Sequence, residues 1–308
     1  MAGVVLLGLL LLAVRRIDAV RVATELRALR LPWLLAALGC YVAIIPLWAL
    51  EWCILAPRLG GNTFPRMLAV VAMTSSTLNT TAFFLGEAAG IVLLVTRIGV
   101  SRSAALSVMA MDQLLVGVAK LAVLAAAASS ISLPPWMGVG VRSLVLGVAI
   151  LFAASLWAAW QHESLERRAA RFLPARLSAM VGRMGHALAP LRSVPRSGGA
   201  LLLALAKKLV EVLAILCVQR AFGIAMPFAS GILVLAALNL ATLLPVVPGN
   251  LGVYEGAVVL TYTHLGLTAE QALGIAVVQH ACYFVALALP GYAWLARAGA
   301  SRAVTAAR

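Results

Sequence analysis

Hydrophobic runs alternate with short polar punctuation along the chain, near 2–14, 31–56, 66–85, 101–128, 138–160, 200–221, 228–247 and 270–296. About 20 apolar residues cross a bilayer as a helix, so the pattern predicts an all-α fold: a polytopic transmembrane helix bundle of about eight spans. Two shorter pieces, 88–98 and 252–265, each follow an interruption and predict broken or re-entrant helices. The first run is short for a span. It has neither the basic start nor the small-residue cleavage site of a signal peptide, and so predicts a tilted helix.

The sharper interruption reads Pro245-Val-Val-Pro248-Gly-Asn-Leu-Gly252-Val-Tyr-Glu255-Gly256; a weaker one is Asn79-Thr-Thr-Ala-Phe-Phe-Leu-Gly86-Glu87-Ala-Ala-Gly90. Hydrocarbon supplies no water to unpaired backbone groups, so a break at membrane depth survives only where protein buries it or a wet cavity lines it. An acid at such a break marks a functional site, and a pair of breaks in corresponding halves points to a transporter's binding site. Gly249 and Gly252 are there for backbone shape, since only glycine freely takes positive φ.

The two halves also align. Gly99 to Gln113 matches Gly266 to His280 without a gap at an offset of 167. Ser101 and Thr268 are placed to cap the helices that follow, and Gly99 and Gly266 to end those that precede. The chain is thus read as a single integral membrane domain, 1–308, with repeat units 66–128 and 228–296 joined through a basic connection, 161–199.

Composition narrows the class. The chain is 63% hydrophobic and 11% charged, with mean hydropathy +1.04, which excludes a soluble domain. The net charge of +14 collects in loops beside hydrophobic spans, where membrane orientation and anionic lipid account for it better than nucleic acid does. Arg15 to Arg30 and Arg167 to Arg196 mark two basic connections. Both are predicted cytoplasmic, four crossings apart, with the Pro134-Pro135-Trp136 loop outside. Cys40, Cys53, Cys217 and Cys282 show no metal spacing, and no cofactor is implied.

Glu87 and Glu255 each follow a glycine near the start of a short helix, where free N–H groups favour negative charge. They bind a cation, hold a proton, pair with a headgroup, or only cap their helices. Asp112, Lys120, Gln279 and His280 should face the bundle interior. Lys207, Lys208 and Glu211 have the spacing of a self-neutralised set with snorkelling lysines near the cytoplasmic end. Asn79 and Asn239 suit hydrogen bonds between helices. Trp33, Trp48, Trp52 and Trp136 read as interfacial anchors, and His264 as a surface residue.

At Pro248-Gly-Asn-Leu-Gly-Val-Tyr-Glu255 and the Leu265-Gly266-Leu-Thr turn, the chain resembles the flippase-like family represented by the transmembrane domain of lysylphosphatidylglycerol synthase. Leu85-Gly86-Glu87 resembles that family's first motif, without the proline and arginine that precede Gly-Glu in relatives. The resemblance implies movement of a lipid or lipid-linked saccharide between leaflets of a bacterial inner membrane, with membrane lipids as partners. Taken with the polar groups of the spans, the candidate substrate or translocation residues are Glu87, Glu255, Asp112, His280, Gly86, Pro248, Gly249, Asn250, Gly252 and Tyr254, with Lys120, Lys207, Lys208 and Glu211 as charge partners. The alternatives are an integral-membrane lipid-modifying transferase and a non-transporting partner of a lipid-synthesis enzyme.

Overall fold

The computed structural model describes residues 28–56, 63–81, 83–138, 141–142, 144–150, 194–242 and 247–306; among them the regular elements are all helices. The readings made for 2–14, for Arg15 to Arg27, for Pro245 and for most of 161–199 lie outside the described residues. The helices with defined ends are α1 (Leu31–Leu55), α2 (Phe64–Thr80), α3 (Phe83–Leu93, prolonged by a π turn Leu94–Ile98), α4 (Arg102–Ser130), α5 (Val194–Ala221), α6 (Phe228–Ala241), α7 (Val253–His264) and α8 (Ala269–Ala306), and residues 144–150 are helical as well. A 3₁₀ turn, Pro248–Asn250, precedes α7. Among the described residues, α1, α4 and the Ala269–Trp294 part of α8 are long and apolar enough to cross a membrane.

Contacts at the helix ends give each helix its direction. Arg30 N–H donates to Ala221 O at 2.9 Å, while a Cβ added to Gly199 would lie 3.7 Å from Ile54 Cδ1, so α1 and α5 run antiparallel. The bundle therefore has an Arg30 face and an Arg196 face. α2 sets out from the Arg196 face and breaks at Thr81, and α3 folds back along it. In that hairpin an added Cβ at Gly86 would meet Leu78 Cα at 2.7 Å, and one at Gly90 would meet Thr74 Cγ2 at 3.1 Å. α4 crosses to the Arg30 face, where His264 Nε2 lies 3.2 Å from Ser132 O. From that same face α6 and α7 form a second hairpin, and α8 starts there with Gly274 against Phe222. The two hairpins enter from opposite faces. Their tips meet where a Cβ on Gly249 would lie 3.2 Å from Asn79 O.

This geometry corrects the expected sidedness. Residues 64–98 form a returning hairpin and not a crossing, and the antiparallel pairing of α1 with α5 puts Arg30 and Arg196 on opposite faces. The first break also comes earlier than expected, at Thr81, with Gly86 and Glu87 inside α3. The cause is the hydroxyl run closing α2: Thr77, Thr80 and Thr81 donate to the carbonyls of Met73, Ser76 and Thr77 at 2.7–2.9 Å. Such back-bonding satisfies polar side chains in hydrocarbon and loosens the helix end.

Ser101 Oγ accepts from Ala104 N–H at 3.2 Å and Thr268 Oγ1 from Gln271 N–H at 3.3 Å, while Gly99 and Gly266 take φ of 84° and 92°. The first half has one residue more between its glutamate and its glycine, 99 − 87 = 12 against 266 − 255 = 11. The π turn Leu94–Ile98 takes up that residue, as a π bulge does for a single insertion.

Pro290 lies inside α8 and removes an N–H from its ladder. The neighbouring groups are satisfied from α2: Gly291 N–H donates to Ser76 Oγ at 2.9 Å, and Ser75 Oγ donates to Leu287 O at 2.8 Å. The approach is so close that a Cβ on Gly291 would lie 2.7 Å from Met73 Cα.

Gly291→Ala is expected to cost about 1–3 kcal/mol by forcing α2 and α8 apart. Gly256→Ala, whose Cβ meets nothing within 4 Å, is the control. Thermal unfolding in detergent distinguishes them; equal stability of the two variants would contradict the packing. The opposed hairpins predict that Ser101→Cys and Thr268→Cys, each in a cysteine-free background, react with an impermeant maleimide from opposite sides of the membrane. With the arginine-rich 161–199 connection cytoplasmic, Thr268→Cys labels in intact cells and Ser101→Cys does not.

Candidate functional site

A cavity of about 410 Å³ lies where the hairpin tips, α1, α4, α5 and α8 converge, within the range of small-molecule sites. Glu87, Asp112, Lys120, Lys207, Lys208, Glu211, Gly249, Asn250, Tyr254 and His280 all line it. Sequence positions scattered from 87 to 280 thus meet in one place.

Lys207 holds the α1, α4 and α5 side together. Its Nζ lies 2.6 Å from Glu51 Oε2 and 3.8 Å from Asp112 Oδ1, and 5.4 Å from the centre of the Trp48 ring. Trp48 and Trp52 each donate an indole N–H to Asp112 Oδ1, at 2.8 and 3.0 Å. Two expectations are corrected here. Trp48 and Trp52 are donors to a buried carboxylate and not interfacial anchors, a role that the exposed Trp33 and Trp136 suit. Lys207, only 6% exposed, does not snorkel and pairs with α1 instead of with Glu211. Lys208 does pair with Glu211, at 2.8 and 2.9 Å, as helical spacing predicts.

Each short helix presents a glutamate to the next long helix. Gln113 Nε2 donates to Glu87 Oε1 at 2.8 Å; His280 Nδ1 lies 2.7 Å from Glu255 Oε1. Gln113 and His280 are the residues that the offset of 167 aligns. Glu87 is five residues into α3, not in its first turn, so it does not cap that helix. Glu255 does cap: its Oε2 accepts Gly252 N–H at 2.7 Å, a one-sided capping box because glycine has no side chain to return the bond. His280 stacks on Tyr254 with ring centres 4.2 Å apart, and Gln279 Nε2 donates to Tyr254 Oη at 2.8 Å. Glu255 thus acts on the cavity through His280, which stands on the cavity wall.

The glycines are structural. Gly249 and Gly252 take φ of 66° and 81°, and Asn250 shares the left-handed region at 53°. Pro248 opens the 3₁₀ turn, and Gly86 lets α3 lie against Leu78. Asn79 and Asn239 do not bridge helices as expected: Asn79 Nδ2 donates to Ser75 O on its own helix, and Asn239 Nδ2 is buried without a partner among the described residues. Glu51 escaped the sequence reading, although an acid inside an apolar run was the available signal.

The family model described as lysylphosphatidylglycerol synthase TM region matches residues 1–291. No curated protein and no solved structure matches the chain.

Removing Lys207 would leave two buried carboxylates without their cation. Lys207→Met is expected to destabilise by about 3–5 kcal/mol, with much of the loss recovered in Glu51→Leu/Lys207→Met. Unfolding by sodium dodecyl sulfate in mixed micelles measures both; a single variant as stable as the wild type would remove the cluster from the account.

Proposed function

The chain belongs to the lysylphosphatidylglycerol synthase TM region family, and from that premise we propose that it moves a lipid or lipid-linked saccharide across a bacterial inner membrane. The family is one of membrane proteins related to lipid modification or lipid handling. The observation that carries the finer reading is the meeting of two helix breaks, entering from opposite faces, beside a cavity lined by acids, lysines and a histidine. Irregular backbone at this depth belongs to substrate pathways. In this reading the two halves are inverted repeats, Glu87 with Gln113 and Glu255 with His280 are equivalent gates, and rocking of the hairpins opens the cavity to one leaflet at a time. Acyl chains stay in lipid while the headgroup passes through the cavity, so only the polar part must be desolvated or matched.

Leaflet-resolved transfer of fluorescent phospholipid in proteoliposomes tests the proposal. Glu255→Gln is expected to insert and fold, since an amide oxygen still accepts Gly252 N–H, and to lose at least about tenfold in rate because the charged partner of His280 is gone. Glu87→Gln, whose partner is the neutral Gln113, should lose less. Wild-type transfer by Glu255→Gln would reduce the carboxylate to a helix cap and favour a non-transporting role.

A further inference from the structure

The lysines of the cavity are not equivalent. Lys207 is matched by Glu51 and Asp112, and Lys208 by Glu211. Lys120 lines the same cavity and makes no hydrogen bond or ion pair among the described residues. It stands on the α4 face shared by Gln113, Val116 and Gly117, all of which line the cavity. Seven residues separate it from Gln113, about 10 Å along the helix, so it is set off from the Glu87 gate.

A second donor without a partner among the described residues lines the same cavity. Asn239 is 5% exposed, lines the cavity, and its amide Nδ2 has no partner among the described residues. Lys120 comes ten residues before the end of α4 at the Arg30 face, and Asn239 eleven residues after α6 begins there, so at about 1.5 Å per residue both lie about 15–17 Å deep. α4 and α6 pack directly against each other. An ammonium outside any hydrogen bond or ion pair and an unpaired amide N–H thus line one cavity, and the acid that acts on Lys120 across it, Glu211, is already held by Lys208. Leaving such groups unmatched in a membrane core is costly, and a ligand that supplies the acceptor recovers that cost.

We infer that Lys120 and Asn239 form a phosphate-binding subsite of the cavity, taking the phosphodiester of a membrane lipid. Phosphate fits both donors: it carries the charge that Lys120 lacks and several acceptor oxygens, of which one meets the asparagine amide. Lys120 engages it as a point charge. The inference rests on the lipid-transport reading for the source of the phosphate, and free inorganic phosphate offers the same chemistry.

Binding is tested separately from transport. Purified full-length protein in uncharged detergent is titrated calorimetrically with dihexanoyl phosphatidylglycerol, with dihexanoylglycerol, which has no phosphate, and with inorganic phosphate. Wild type should bind the phospholipid and not the diacylglycerol; Lys120→Met should weaken binding at least about tenfold, and Lys120→Arg should restore most of it. Lys120→Met should be no less stable than the wild type, since no hydrogen bond or ion pair is lost with the ammonium, so lost binding is not lost folding. Equal binding by Lys120→Met, or equal binding of the diacylglycerol, would overturn the subsite. Inorganic phosphate binding as tightly as the lipid, with the same dependence on Lys120, would overturn the lipid as its source. Lys120-dependent lipid binding without leaflet transfer by the wild type would uphold the subsite and sink the transport reading.

Discussion

Burying an ammonium and two carboxylates between α1, α4 and α5 is the constraint from which the arrangement follows. Lys207 cannot leave Glu51 and Asp112 without exposing uncompensated charge to a low-dielectric interior. The need to match these charges sets the register of three helices at one level. Trp48 and Trp52 complete the match by donating to Asp112. The cluster also forms one wall of the cavity, so the charges that lock the bundle shape the space in which a headgroup would sit.

Backbone satisfaction imposes the second demand. Each irregularity at depth is answered locally: hydroxyls closing α2 bond back to their own helix, Ser75 and Ser76 serve the groups around Pro290, and Glu255 takes the free N–H of Gly252. Polar side chains that look out of place in an apolar sequence are therefore the condition for bent and broken helices there. The hairpin tips themselves meet at Gly249 and Asn79.

These demands explain which features the sequence discloses. The Pro-Gly-Asn-Leu-Gly break, the positive φ of Gly249 and Gly252, and the caps at Ser101 and Thr268 were legible because turn and cap chemistry is local. The direction of α3 was not: hydropathy records that 83–98 is apolar, and is blind to whether the chain continues or returns. Glu51 with Lys207, and the tryptophans with Asp112, join residues 60 or more positions apart, which no spacing rule within one helix can pair. Lys207 reaches Glu51 on α1, while its helical neighbour Lys208 holds Glu211. The gapless offset between halves was visible from Gly99 onward, and the extra residue upstream was hidden because a π turn absorbs it without disturbing the turn that follows.

Opposed hairpins, a charged cavity between them and membership in a family of lipid-modifying or lipid-handling membrane proteins are what support the proposed passage of a headgroup through the bundle. The most direct test is the rate of phospholipid transfer between leaflets in proteoliposomes carrying the wild type or the cavity-filling Val116→Trp, against vesicles without protein. The account predicts that the wild type accelerates transfer and that Val116→Trp, folded and inserted, falls to the protein-free rate. Wild-type transfer no faster than in empty vesicles, or a filled cavity that transfers as fast as the open one, would contradict it.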